Sequence, residues 1–140
     1  MAETILIDTG PIVALLDKRD QHHETCKTHA ERLPEVLTTC WPVVTEACYL
    51  LRHRPDLVER FIEAINEGYY ELLDIPSEEI TQVGGVMEKY GDQEIDLADA
   101  CLVHLACREN ITTVFTVDDR HFQLFRDDAK QPLRLVPGLS

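Results

Sequence analysis

Short apolar runs alternate with amphipathic stretches along the whole of this chain. Residues 4–7 (Thr4-Ile5-Leu6-Ile7) are β-rich and end at Asp8-Thr9-Gly10-Pro11, the pattern of a buried strand entering a turn. A short apolar helix is predicted over 12–16, with Pro11 at its first position. A second helix is predicted over 21–32, with Asp20 as its cap. Residues 36–39 read as a second strand, and Pro42 opens a helix that runs through Leu51. The next helix opens at Pro55, carries Leu57, Phe61, Ile62 and Ile65 on its apolar side, and stops at Gly68. Residues 70–75 form a third predicted strand. Ser77, Ile80, Val83, Val86 and Met87 then spell a helix despite Gly84-Gly85 in its middle, with an imperfect capping box. An Ala- and Leu-rich helix is predicted over 96–108. A fourth strand follows over 112–116, ending at Val117-Asp118-Asp119, and a short fifth over 133–136. This alternation predicts an α/β fold with a five-stranded, mainly parallel sheet flanked by helices. No repeat, low-complexity tract or linker interrupts it, so residues 1–140 are expected to form a single domain.

Composition narrows the setting. Apolar residues make up 44% and charged residues 28%, which disfavours a disordered chain. No apolar run approaches the ~20 residues that cross a bilayer, and no signal peptide opens the chain, so a cytoplasmic protein without a membrane anchor is expected. The five cysteines form no C-x-x-C pair, and Cys48, Cys101 and Cys107 fall in apolar helical stretches where free thiols behave as small hydrophobes. A net charge of −13 argues against loose nucleic-acid binding through a basic surface. Carboxylates that hold metal ions count toward that total, so the placement of the acids matters more than their number.

In open parallel sheets, sites form beyond the C-terminal ends of strands. Asp8 ends the first predicted strand and Asp118 the fourth. Glu46 lies early in the helix after the second strand, where it interrupts an apolar segment. Asp96 and Asp99, three apart, open the helix that leads to the fourth strand, so their end of that helix should lie at the same sheet edge. Five carboxylates at one edge repel each other unless a cation sits among them. Oxygen-only ligands suit Mg²⁺ or Mn²⁺ rather than zinc. Ions held in this way activate water and stabilise a leaving oxygen, the chemistry of a phosphodiesterase or nuclease. Each acid also has a structural reading: a turn residue for Asp8, a helix cap for Asp96, a partner of the positive helix end for Asp99.

Four segments resemble the PIN domain family (PilT N-terminus), and within it the VapC-type toxins. They are Ile5-Leu6-Ile7-Asp8-Thr9-Gly10-Pro11 with the apolar run behind it, Val43-Val44-Thr45-Glu46-Ala47, Ile95-Asp96-Leu97-Ala98-Asp99-Ala100, and Val114-Phe115-Thr116-Val117-Asp118-Asp119-Arg120-His121-Phe122. They span nearly the whole chain in the family's order and spacing. The resemblance implies a five-stranded parallel sheet between helices. It implies catalytic acids at Asp8, Glu46, Asp99 and Asp118, with Asp96 as a further metal ligand and Mg²⁺ or Mn²⁺ as the cofactor. It implies an endoribonuclease acting on RNA, a small antitoxin as partner, and a homodimer. In that reading a metal on Asp8, Asp99 and Asp118 activates water while Glu46 orients the metal or its waters. The antitoxin is expected to lay a helix on the apolar faces of residues 12–16 and 58–65. The alternatives are a PIN domain that binds RNA or protein without cutting, and a housekeeping RNA-processing nuclease. A phosphatase-type or receiver-type domain is disfavoured, because no lysine closely follows a predicted strand end.

Other features carry blander readings. His22, Cys26 and His29 share a helical face, yet a structural zinc site needs four ligands, so a packing role is expected. Arg52 and Arg54 suit the negative end of a helix. Arg120 is placed to touch a phosphate beside Asp118. Thr9 and Thr116 are placed either to serve turns, the favoured reading, or to hydrogen-bond carboxylates or a metal-bound water, and Trp41 is expected to anchor the core or a loop.

Overall fold

The structure is a computed structural model in which residues 3–118 and 133–138 are described. Five strands, β1 (Ile5–Ile7), β2 (Leu37–Thr39), β3 (Tyr70–Leu72), β4 (Thr113–Phe115) and β5 (Arg134–Val136), form one sheet in the order β3-β2-β1-β4-β5. Every pairing is parallel, and Leu6 lies opposite Thr38 on one side and Val114 on the other. β1, β2 and β4 are buried at every position, as strands are when helices cover both faces of a sheet.

The helices are α1 (Thr9–Leu16), α2 (His23–Ala30), α3 (Trp41–Leu50), α4 (Pro55–Asn66), α5 (Ile80–Lys89) and α6 (Leu97–Glu109). α1 packs on α2 and α3, and α6 on α3 and α5. The core between them holds Leu6, Ile7, Ile12, Phe61, Leu102, Leu105 and Phe115, all fully buried. Burying a side chain of this kind stabilises the fold by about 1.5–3 kcal/mol. α4 shows the cause locally: Pro55 takes its first position, Leu57 and Phe61 fall four apart on the inner side, and Gly68 at φ 90° turns the chain away just beyond it. No helix among the described residues is long and apolar enough to cross a membrane.

Several boundaries differ from those expected. α1 starts at Thr9 rather than Ile12, because the Asp8 side chain accepts the Thr9 N–H (2.8 Å) and caps the helix directly, which puts Pro11 in the third position. Asp20 does not cap α2. Its carboxylate accepts the His22 N–H (2.8 Å) and its carbonyl the His23 N–H (3.0 Å), so it closes the turn before a shorter helix. The third strand is only three residues long. The segment after it opens with a 3₁₀ turn, Ser77–Glu79, in which Ser77 makes no cap bond. Cys48 and Cys107 are half-buried rather than buried.

Candidate active site

The sheet order reverses direction at β1: the chain moves outward through β2 and β3, then returns to the other side of β1 with β4 and β5. The crevice at the strand ends between β1 and β4 is therefore the switch point where α/β sheets place their sites. Asp8 leaves β1 there and is buried. Its Oδ1 accepts the Thr9 N–H at 2.8 Å and its Oδ2 accepts the Thr116 hydroxyl at 2.9 Å. The same hydroxyl oxygen accepts the Asp118 N–H at 2.9 Å. Thr116 thus ties the carboxylate after β1 to the backbone of the one after β4. Gly10 lets the first turn of α1 meet the segment after β4, since a Cβ there would lie 2.5 Å from a Val117 methyl.

The other three acids arrive on helices. Asp96 caps α6, its Oδ1 accepting the Asp99 N–H at 2.8 Å, which fixes the backbone that carries Asp99. Glu46 lies on α3, with the Asp96 carboxyl among its charged neighbours. Their charges are felt mutually. Burial above all, then repulsion from Asp96 and Asp118, raises Asp8 to about 6 against two opposing hydrogen bonds. Burial, then the charges of Asp8, Asp96 and Glu46, raise Asp99 to about 8. Glu46 is raised by burial first and next by Asp96 and Asp8. Asp8, Glu46, Asp96 and Asp99 thus feel one another's charge at one sheet edge, and Asp118 joins them through Asp8.

The match to known proteins follows the same residues. The family described as PIN domain matches residues 5–127, from β1 past β4. The chain belongs to the PIN domain family. Among curated proteins, Ribonuclease VapC26 of Mycobacterium tuberculosis is 32% identical over 135 residues, covering 95% of this chain and all of that one. Among solved structures, Mycobacterium tuberculosis VapC20, described as a Sarcin-Ricin loop cleaving toxin, superposes with a TM-score of 0.75 at 20% identity, over 83% of this chain and 91% of that one. PAE2754 from Pyrobaculum aerophilum gives 0.57 at 19% identity, over 96% and 90% of the two chains. At those identities the two structures speak for the fold.

The donor chemistry of this PIN domain fits a hard divalent ion. Every candidate ligand is a carboxylate oxygen. Thr9 Oγ is buried with no full hydrogen bond, yet lies close enough to Glu46 to favour its charged form, so a polar atom at the site lacks a finished partner. Among the described residues no three acidic, His or Cys side chains already stand close enough to cage an ion. The site is a set of carboxylates in mutual reach rather than a finished coordination sphere.

The remaining sequence features sort by their surroundings. Thr116 takes the second of its two sequence readings: its hydroxyl binds the Asp8 carboxylate rather than serving only a turn, and its place directly after β4 is the available signal. Trp41 is no core anchor: it is 60% exposed at the start of α3. Cys26 is in the core, and His29 lies edge-on to Phe115 with ring centroids 5.7 Å apart. The Arg52 guanidinium stacks 4.0 Å from the Tyr49 ring centroid and donates to the Tyr49 carbonyl, while Arg54 pairs with Asp56 at the start of α4 rather than closing a helix. Asp119, Arg120, His121 and Arg126 lie outside the described residues.

Proposed function

We propose that this PIN domain is a metal-dependent endoribonuclease, the toxin of a toxin–antitoxin pair, working in the cytoplasm as one domain over residues 1–140. The observation that carries the reading is the convergence of five carboxylates at the sheet's switch point, two of them raised toward neutrality by burial and mutual repulsion. The relationship to a curated ribonuclease along nearly its whole length supports it. Asp8, Asp99 and Asp118 would hold Mg²⁺ or Mn²⁺, with Glu46 and Asp96 completing the oxygen set. Bound there, such an ion supplies an activated water and charge stabilisation at the scissile phosphate. The chain's own part is positioning. Thr116 fixes Asp8, Asp96 fixes the first turn of α6 under Asp99, and Glu46 orients water at the rim.

The partners follow from surfaces. A small antitoxin would lay a helix along α1 and α4, where Val13, Leu16 and Val58 are half-buried and Ile62 is exposed. A second copy of the chain would cover the apolar cleft of about 560 Å³ beside Glu46, whose walls include Trp41, Tyr49 and Leu97.

The test is cleavage of labelled single-stranded RNA by the purified chain. We expect cutting with Mg²⁺ or Mn²⁺ and none in excess chelator. Undiminished cutting in chelator would overturn the metal mechanism, and no cutting under any condition would favour a binding-only PIN domain. Growth arrest on expression, relieved by the co-expressed neighbouring small protein, separates a toxin from a housekeeping nuclease.

A further inference from the structure

A protein of net charge −13 whose reacting centre is a cluster of carboxylates repels RNA, so a nuclease of this composition needs cations gathered elsewhere. Among the described residues, cations gather beside α1. A cleft of about 320 Å³ between the C-terminal end of α1 and the first turns of α4 is lined by Lys18, Arg19, Arg54 and Arg60, four of the chain's 13 basic residues. Only Asp17 and Asp56 oppose them there. Asp56 is taken by Arg54 through a two-pronged pair of hydrogen bonds at 3.2 and 3.0 Å. Asp17 accepts the Arg19 N–H at 2.9 Å and lies 3.6 Å from its guanidinium. Lys18 and Arg60 are exposed and make no ion pair with any described residue, although acids outnumber bases two to one in the chain.

We infer that this cleft holds backbone phosphates of the RNA strand, a few nucleotides from the carboxylates. The inference rests on the nuclease reading above and adds to it the path of the substrate. α1 sets that path. Asp8 caps its N-terminus at the carboxylate edge, and its last residue, Leu16, lines the basic cleft, eight residues and about 12 Å away. α4 begins inside the cleft, with Asp56 in its first turn already taken by Arg54. Phosphates suit this arrangement because Arg presents a planar fork and Lys a compact charge to their oxygens. An acidic segment of a protein partner is the rival occupant. RNA is favoured because the helix that lines the cleft also starts at the proposed cutting centre.

The experiment is the salt dependence of binding of a labelled single-stranded RNA to the full chain in chelator. It compares the parent, the double variant Lys18→Gln/Arg60→Gln, and the control Lys27→Gln/Lys89→Gln, which removes the same charge elsewhere. The slope of log affinity against log salt should fall by about 0.7 for each phosphate that the cleft variant no longer neutralises. It should stay at the parent value in the control. Equal slopes for the two variants would overturn the inference, as would a parent that binds no RNA. A cleft variant that keeps RNA affinity but loses binding of the co-expressed neighbouring small protein would also overturn it and assign the cleft to protein. If the parent binds RNA with the expected slopes but cuts none with Mg²⁺ or Mn²⁺, the nuclease reading fails while the phosphate cleft stands.

Discussion

Asp8 and Asp17 bracket the same helix, and their surroundings drive them in opposite directions. Asp8, at the N-terminus of α1, is buried at the sheet edge among other acids, and its pKa rises to about 6. Asp17, at the C-terminus, is held below the usual carboxylate range by the Arg19 N–H and by the guanidinium groups of Arg19 and Arg54. A helix of eight residues thus separates a cluster of carboxylates from a cluster of cations. Residue type says little here. What differs is whether the sheet or the solvent surrounds the carboxylate, and which charges the neighbouring helices deliver.

Neutralising the acidic end should have the largest effect. Asp99→Asn removes a proposed ligand, and RNA cleavage should fall by about 10²-fold or more, the scale seen when one group that stabilises transition-state charge is removed. The metal-induced rise in melting temperature should shrink with it, while the metal-free protein should melt no lower than the parent. Full activity with an unchanged metal shift would remove Asp99 from the site.

The next effect is on stability against pH. Asp8 titrates near 6 and Asp99 near 8 in the folded chain, against 3.8 for an unperturbed aspartate. A raised folded-state pKa means that the folded chain holds its proton more tightly. The contribution is full below the unfolded value and is lost as pH rises through the folded ones. The metal-free protein should therefore become more stable as pH falls from above 8 toward 5, by about 1.4 kcal/mol from Asp8 alone, the linkage gained between its folded pKa and pH 5. Saturating Mg²⁺ or Mn²⁺ should flatten the trend. Chemical denaturation across that range, with and without metal, checks both, and a metal-free stability that falls on acidification would contradict the repulsion.

Thr116→Val tests the support beneath Asp8 and should lower activity or metal affinity by about 10–100-fold, the usual cost of losing a residue that orients a ligand. Thr116→Ser should restore most of it, which a packing role for the missing methyl would not allow. The smallest effect belongs to the other end of α1. Asp17→Asn should leave both melting temperature and cleavage near the parent values, because an exposed pair with Arg19 is screened by water. A large loss there would break the contrast between the two ends.

Much of this is legible in the residues themselves. The five strands follow from β-rich runs bounded by turn residues, and their parallel pairing from the helices between them. Asp8 and Asp118 are identifiable because each ends a strand, and Glu46 because a charge in an apolar helical segment needs a reason. Thr116 reads first as a turn residue, and a bond to a carboxylate only second, because a hydroxyl's partner 108 positions away leaves no local trace. Trp41 is misplaced for a related reason: nothing in Cys40-Trp41-Pro42 says which way the first residue of α3 faces. The basic cleft is hidden because Lys18 and Arg19 are separated from Arg54 and Arg60 in sequence and joined only when α1 packs on α4. The start of α1 reads late because Pro11 is a strong helix-opening signal, while the cap comes from Asp8.

The bond from Thr116 to Asp8 also sets a time. Its two ends lie 108 residues apart, and chains grow at about 5–20 residues per second, so roughly 5–20 s pass between the making of Asp8 and the making of Thr116. Throughout that interval β1 has no β4 beside it, and Asp8 has neither the hydroxyl that holds it nor Asp118 as a neighbour. A chain proposed to cut RNA is thus assembled on a messenger and a ribosome while its own cutting centre is still missing a wall.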